Sequence, residues 1–372
     1  MAVYLIMLMV SVISFALISG KKTTLSVSYR SSFYNGKIYL QKTDLAVFLA
    51  ALPFALISGF RYAVGTDYWP TYYTGFYRIL NNIDFDQFEF GYLAIVKLIQ
   101  KFTDNAFVLI FCLSFLFIYF TFKAIKDQSQ DIPFSIVLLF VTRYFFISMN
   151  AVRQFLAMAV LLYCLKYVLS GQKRRFLFWM FIAFSIHYMS ILFLPIYFVF
   201  NKKIDPSKFV CYVAIATVVI LGLKNIGFRI LANTRFGQVD RYDYAGIKFT
   251  LFTIALNALI CFTFYLAFDE KKDDPRYRLY LNIELIAMII SIFISAIPAM
   301  ERVYWIYSFP LIISIPYCVK KNEHPILRWI IIIAFMAYLI YDIIILNDHS
   351  VLPYQTVFGH ESQSILWGYQ VK

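Results

Sequence analysis

Apolar runs long enough to cross a membrane recur along the whole 372-residue chain, with no soluble domain between them. About 20 mainly apolar residues in a helix span a hydrocarbon core of ~30 Å. The runs fall near 2–19, 44–60, 104–124, 133–150, 152–169, 176–199, 208–225, 248–268, 279–298, 303–319 and 327–346. Composition agrees: 61% of residues are hydrophobic and only 15% charged, far from a soluble domain. The expected fold is an all-α polytopic membrane protein, one domain over 1–372, with about ten transmembrane helices and one irregular segment. A net charge of +13 in a soluble protein would suggest nucleic acid. Here the lysines and arginines lie mostly in short loops, so membrane orientation accounts for them and no nucleic-acid partner is expected.

The basic loops define a topology. Those carrying Lys21, Lys22, Arg30, Lys37 and Lys42, then Lys123 and Lys126, then Lys173, Arg174 and Arg175, belong on the cytoplasmic side. So do those with Lys202 and Lys203, with Lys271, Lys272, Arg276 and Arg278, and with Lys320, Lys321 and Arg328. A single crossing over 176–199 would export Lys202 and Lys203 and invert every later loop. We therefore expect 176–199 to be a re-entrant broken-helix hairpin with its apex near Ser185 to His187, the alternative being an ordinary span that departs from the charge rule. The stretch 61–103, the Asn150 to Arg153 turn, the loop 225–247, the turn at Ala299 to Arg302 and the tail 347–372 then face outward. The run Ala2 to Ser19 lacks a basic leading region and is followed by Lys21 and Lys22, so it reads as a first span with its N-terminus outside. All five cysteines sit within apolar runs without a CxxC pair, which speaks against disulfide or metal roles.

Ionisable groups in membrane segments are costly and mark polar paths or cavities. Arg61, Arg143, Arg153 with Gln154, and Arg302 beside Glu301 fall toward the outer ends of their runs, with Asp67 and Glu89 nearby. Guanidinium forks bind phosphate oxygens and keep their charge when partly buried, so this set suggests a diphosphate site. Arg235, with Arg229 and Arg241, makes the loop 225–247 basic on the outward side, which also suggests an anionic ligand. His187 is the only histidine inside an apolar run; it could serve as a general base or simply as a buried structural residue. In "GFRYAVGTDYWPTYYTGFYR" Gly65 permits a tight bend, and Tyr68 and Tyr72 offer flat rings that could form an interfacial belt or a wall for sugars. An isolated "DFD" at Asp84 to Asp86 supports no metal site. Walker, GxSxG and HExxH motifs are absent from the sequence.

"FRYAVGTDYWPTYY", "EFGY" at Glu89, "NAVRQFLAMAV" at Asn150, "SIHYMS" at Ser185 and "ERVYWIY" at Glu301 resemble, in order, the landmarks of the EpsG-like, Wzy-type polysaccharide polymerases. The resemblance implies a GT-C-like glycosyltransferase of the bacterial inner membrane with its active site facing the periplasm. Such an enzyme passes a growing glycan from undecaprenyl diphosphate to a hydroxyl of the next lipid-linked repeat unit. It also implies a chain-length regulator and a flippase as partners, beside membrane lipid and the undecaprenyl-diphosphate-linked oligosaccharide, and no metal or other cofactor. Carried over by position, Arg61 and Asp67 match the RxxxGTD landmark, Arg153 and Gln154 the RQ landmark, His187 the histidine of the apolar run, and Arg302 the late arginine. Arginine can meet the charge of the diphosphate leaving group without metal. His187, Asp67 and Glu301 compete as the base. An O-antigen ligase, a membrane O-acyltransferase and a lipid-linked oligosaccharide flippase remain alternatives.

Overall fold

The computed structural model describes residues 1–19, 24–30, 35–83, 86–204, 247–294, 297, 299–319 and 325–361. The predicted run 208–225, Asp84 of the DFD stretch, and the loop 225–247 with Arg235 up to residue 246 lie outside them. The described residues are helical apart from one antiparallel hairpin, β1 (Thr24–Arg30) paired with β2 (Asn35–Gln41). It occupies the first basic loop.

Two compact units divide the chain. The first comprises Met1–Tyr163, Phe181–Tyr188 and Leu339–Lys372, the second Cys164–Met180 and Met189–Tyr338. In the first, α1 (Ala2–Ser19) packs on α2 (Lys42–Gly59), and α2 on α5 (Ala106–Gln128). The buried face of α1 is Tyr4, Met7, Ser11 and Phe15, at the three-and-four spacing of one helix side. Ser11 Oγ donates to the Ala50 carbonyl at 2.6 Å, and Tyr4 Oη to the Val351 carbonyl at 2.9 Å. The other side of α1 exposes Ile6, Met9, Ile13 and Leu17, a surface suited to hydrocarbon.

Among the described residues, four helices are long and apolar enough to cross a membrane: Ala2–Ser19, Ala106–Gln128, Val152–Leu169 and Pro325–Leu346. A bent pair, α6 (Ile132–Val141) and α7 (Tyr144–Asn150), makes up to five. About ten were expected; the runs 44–60 and 248–268 form α2 and the helix Ile247–Leu266, and part of 176–199 forms a shorter apolar segment over 188–199. Hydropathy does not register breaks within a run. The run 133–150 bends by 54° at Thr142 and Arg143. The run 176–199 leaves α-helix after Ile186 and resumes as a 3-10 turn at Tyr188, while the last run turns π-helical over Ile340–Leu346. Arg143, His187 and Asp342 stand at these three irregularities, where freed backbone groups and a polar side chain can share partners inside the protein.

In the second unit the helix Pro275–Ile292 packs against Ile247–Leu266, Met300–Ser308 and Leu311–Cys318. Residues 199–202, residues 271–274 and the end of Leu311–Cys318 meet at one end of it. Asn282 Nδ2 donates to the carbonyls of Val199, Phe200 and Lys202 at 2.7–3.1 Å. Lys271 Nζ donates to the Tyr317 carbonyl at 2.5 Å, and Tyr317 Oη to Asp274.

Candidate active site

Helix α2 stops at Gly59, and the chain then makes an irregular turn. Ala63 (φ 54°) and Gly65 (φ 101°) both adopt left-handed backbone. A Cβ on Gly65 would lie 2.6 Å from the Met149 carbonyl oxygen, so the position needs glycine for space as well as conformation. The segment after Asn347 closes over this turn: Tyr62 N–H donates to the Gln355 carbonyl, Gly65 N–H to Ser350, and Val357 N–H to Phe60. Asn150, at the end of α7, accepts from Thr66 Oγ1 at 2.7 Å and from the Asp67 N–H at 2.8 Å. The GTD turn is thereby fastened beside the start of α8 (Val152–Leu169), which carries Arg153 and Gln154.

Glu89 precedes α4 (Phe90–Gln100) at the same place, its side chain making no capping hydrogen bond, and is only 6% exposed. One carboxylate oxygen, Oε2, accepts from Arg153 Nη1; the other, Oε1, lies 2.8 Å from His187 Nδ1. The His187 and Arg153 side chains keep 12% and 20% of their surface accessible. His187 Nε2 and Arg153 Nε have no hydrogen-bond partner among the described residues. The Arg153 guanidinium stands over the Phe88 and Tyr92 rings, 5.1 and 5.3 Å from their centroids, and its backbone N–H donates to Tyr72 Oη at 3.2 Å. A single carboxylate thus holds an arginine on one side and a histidine on the other.

Gly91 makes this approach possible. A Cβ there would lie 2.6 Å from Ser185 Cβ and 2.7 Å from the Ser185 carbonyl oxygen, on the turn leading to His187. Gly91→Ala is expected to push α4 away from that turn and lengthen the Glu89–His187 contact, lowering turnover about 100-fold, since misplacement by ~1 Å is enough for that. Fold retention by circular dichroism alongside the activity assay would separate this effect from unfolding.

Burial raises the Glu89 carboxyl pKa, but the hydrogen bond from His187 and the charge of Arg153 outweigh it, so the net value falls below the ordinary 4.5. Glu89 therefore stabilises the folded state fully above the unfolded carboxyl value, and this contribution is lost as pH falls through the lowered folded value. Glu89→Gln should flatten the acid side of a stability profile taken below pH 5.

Several expected ligands are placed otherwise. Arg61 is completely buried and spends its guanidinium on the carbonyls of Ser58, Val64 and Met149 and on Ser114 Oγ, at 2.5–3.3 Å. It ties the turn to α5 and α7, which corrects its expected contact with diphosphate. Tyr68 and Tyr72 are 0% and 2% exposed, so they form the packed support of the turn and not an open wall for sugars. A π-helical turn over Tyr68–Tyr73 points these rings inward, with Tyr68 against Trp69 and Tyr62. Arg143 is 3% exposed and paired with Asp342, away from any open surface. Asp67 precedes the π-helical turn and is partly exposed, while Gln154 is buried next to Arg153. Glu301 and Arg302 open the helix Met300–Ser308 of the second unit. Asp342 escaped the sequence reading although it is the only acidic residue in the run 327–346, which was the available signal.

The landmark segments around residues 61–67, 89–92, 150–160 and 185–188 thus fall in one unit. A family model described as EpsG family matches residues 44–356. The chain belongs to the EpsG family. Membership of the EpsG family supports a polysaccharide polymerase-like membrane protein, the coarse form of what the motifs implied. No curated protein and no solved structure matches the chain.

Proposed function

We propose that this EpsG-family protein is a GT-C-like glycosyltransferase of the bacterial inner membrane. It transfers a growing glycan from undecaprenyl diphosphate to a sugar hydroxyl of the next lipid-linked repeat unit at the periplasmic face. The observation that carries the reading is His187, held at Nδ1 by Glu89 with Nε2 unspent. In the tautomer that donates Nδ1–H to Glu89, Nε2 carries a lone pair and can accept the proton of the acceptor hydroxyl. The bond from the donor's anomeric carbon to the diphosphate oxygen breaks as the bond to the acceptor oxygen forms. The proton passes to Nε2, and undecaprenyl diphosphate leaves. Glu89 stabilises the imidazolium that results, in the way a carboxylate orients a histidine base in hydrolase triads.

Arg153 faces the leaving group with its remaining N–H groups, and its charge counts for more as the diphosphate departs. Arg302 is assigned as a second cation and Arg235 as a contact of the basic loop, both from the sequence alone. Asp67 and Glu301 are the alternative bases. A chain-length regulator and a flippase are the proposed partners, and catalysis is proposed to need no metal. The test is purified protein in nanodiscs given a synthetic undecaprenyl-diphosphate repeat unit, with and without EDTA. A glycan ladder with released undecaprenyl diphosphate, unchanged by chelation, is expected. Binding of a native repeat unit without elongation would turn the assignment toward a ligase or flippase, and a ladder abolished by EDTA would overturn the metal-free mechanism.

A further inference from the structure

The second unit carries a cavity that the catalytic reading does not use. Its volume is about 450 Å³, and it is lined by Lys202, Lys203, Lys272 and Arg278, with Asp273 as the single carboxylate among the described residues. Lys203 reaches Asp273 at 3.7 Å, but both side chains are more than 70% exposed, so water screens that pair. Nearby polar groups are engaged elsewhere: Asp274 caps the helix Pro275–Ile292 and accepts from Tyr317, and Lys271 donates to the Tyr317 carbonyl. Arg278 Nε is buried without a hydrogen-bond partner among the described residues. Asn282 fixes the wall that carries Lys202 by binding the carbonyls of Val199, Phe200 and Lys202. The basic mouth is therefore built into the fold.

Its floor is apolar and continues. A second cavity of about 230 Å³ shares Ile204, Tyr277 and Leu281 with the first and extends along Phe262, Tyr265 and Leu285. Phe262 and Tyr265 are 51% and 65% exposed, so this groove opens onto the apolar exterior of the helices. A cationic mouth joined to an apolar furrow matches an amphiphile with an anionic head and a hydrocarbon tail. We infer that this is a binding site for an anionic phospholipid of the surrounding membrane, with the phosphate against Lys202, Lys272 and Arg278 and an acyl chain in the furrow. The inference is independent of the polymerase reading.

The test is native mass spectrometry of the full chain in neutral detergent, titrated with dioleoylphosphatidylglycerol, with dioleoylphosphatidylcholine, and with glycerol 1-phosphate. Phosphatidylglycerol should be retained about tenfold more tightly than phosphatidylcholine, and glycerol phosphate should not displace it. The variant Lys202→Gln/Lys272→Gln/Arg278→Gln should lose the preference, and the charge-conserving Lys202→Arg/Lys272→Arg/Arg278→Lys should keep it. Leu285→Trp, which fills the furrow, should weaken phosphatidylglycerol binding. Equal retention of the two lipids, or an unchanged preference in the triple glutamine variant, would overturn the assignment. Displacement by glycerol phosphate at equal concentration would show a free phosphate site and overturn the lipid source.

Discussion

Replacing His187 by alanine is expected to lower glycan elongation by about two to four orders of magnitude, the usual contribution of a general base, while leaving lipid-linked substrate binding within a few-fold of wild type. The base is needed only while the acceptor hydroxyl is attacking, so the loss should appear in turnover and not in binding. His187 contacts Glu89 at one nitrogen and leaves the other unspent, so removing it deprives one buried carboxylate oxygen of a partner while Arg153 still holds the other. Leaving that acceptor unpaired costs about 1–3 kcal/mol, so the thermal transition should fall modestly while activity falls by orders of magnitude. Elongation in the variant within threefold of wild type would transfer the role to Asp67 or Glu301. A pH–rate profile adds a readout that a structural role would not move, since the wild-type limb assigned to the base should vanish in the variant.

The largest stability effect should come from Arg143 and Asp342. Their side chains are 3% and 1% exposed and form an ion pair at the bend between α6 and α7. Removing either partner leaves a buried charge uncompensated, which costs about 3–5 kcal/mol, whereas a matched apolar pair is often neutral. Arg143→Ala and Asp342→Ala should each lower the unfolding midpoint sharply, and Arg143→Met/Asp342→Leu should recover most of the loss. Denaturant unfolding in mixed micelles, analysed as a double-mutant cycle, gives the coupling. A coupling near zero would show that the pair is incidental. Arg143 also takes a left-handed backbone (φ 70°), so Arg143→Gly/Asp342→Leu can test whether backbone strain adds to the effect.

Much of the architecture was legible because it depends on local composition. Apolar runs over 2–19, 104–124 and 152–169 reappear as α1, α5 and α8 with ends within a few residues, since each run must satisfy its backbone internally. The structure adds the helix starts, where Asn105 and Asp131 each accept from an N–H two or three residues on. Breaks were less legible. Hydropathy averages over a window, while a break at Thr142–Arg143 or at His187 turns on one residue and on partners distant in sequence.

The sequence by itself determined a helical membrane protein, its EpsG-like landmarks, and the identity of the ionisable residues worth attention. Only the tertiary structure decided which of them share a site. Arg61 and Arg153 look alike in a list of membrane arginines, yet one is consumed by three carbonyls and a serine while the other keeps an accessible surface beside Glu89. Whether a guanidinium supports a turn or faces a ligand depends on which acceptors packing brings within hydrogen-bond reach. Two of the Arg61 acceptors are local, but Ser114 and Met149, like Glu89 for Arg153 and His187, lie 53 to 98 positions away, a separation that a motif read along the chain cannot resolve.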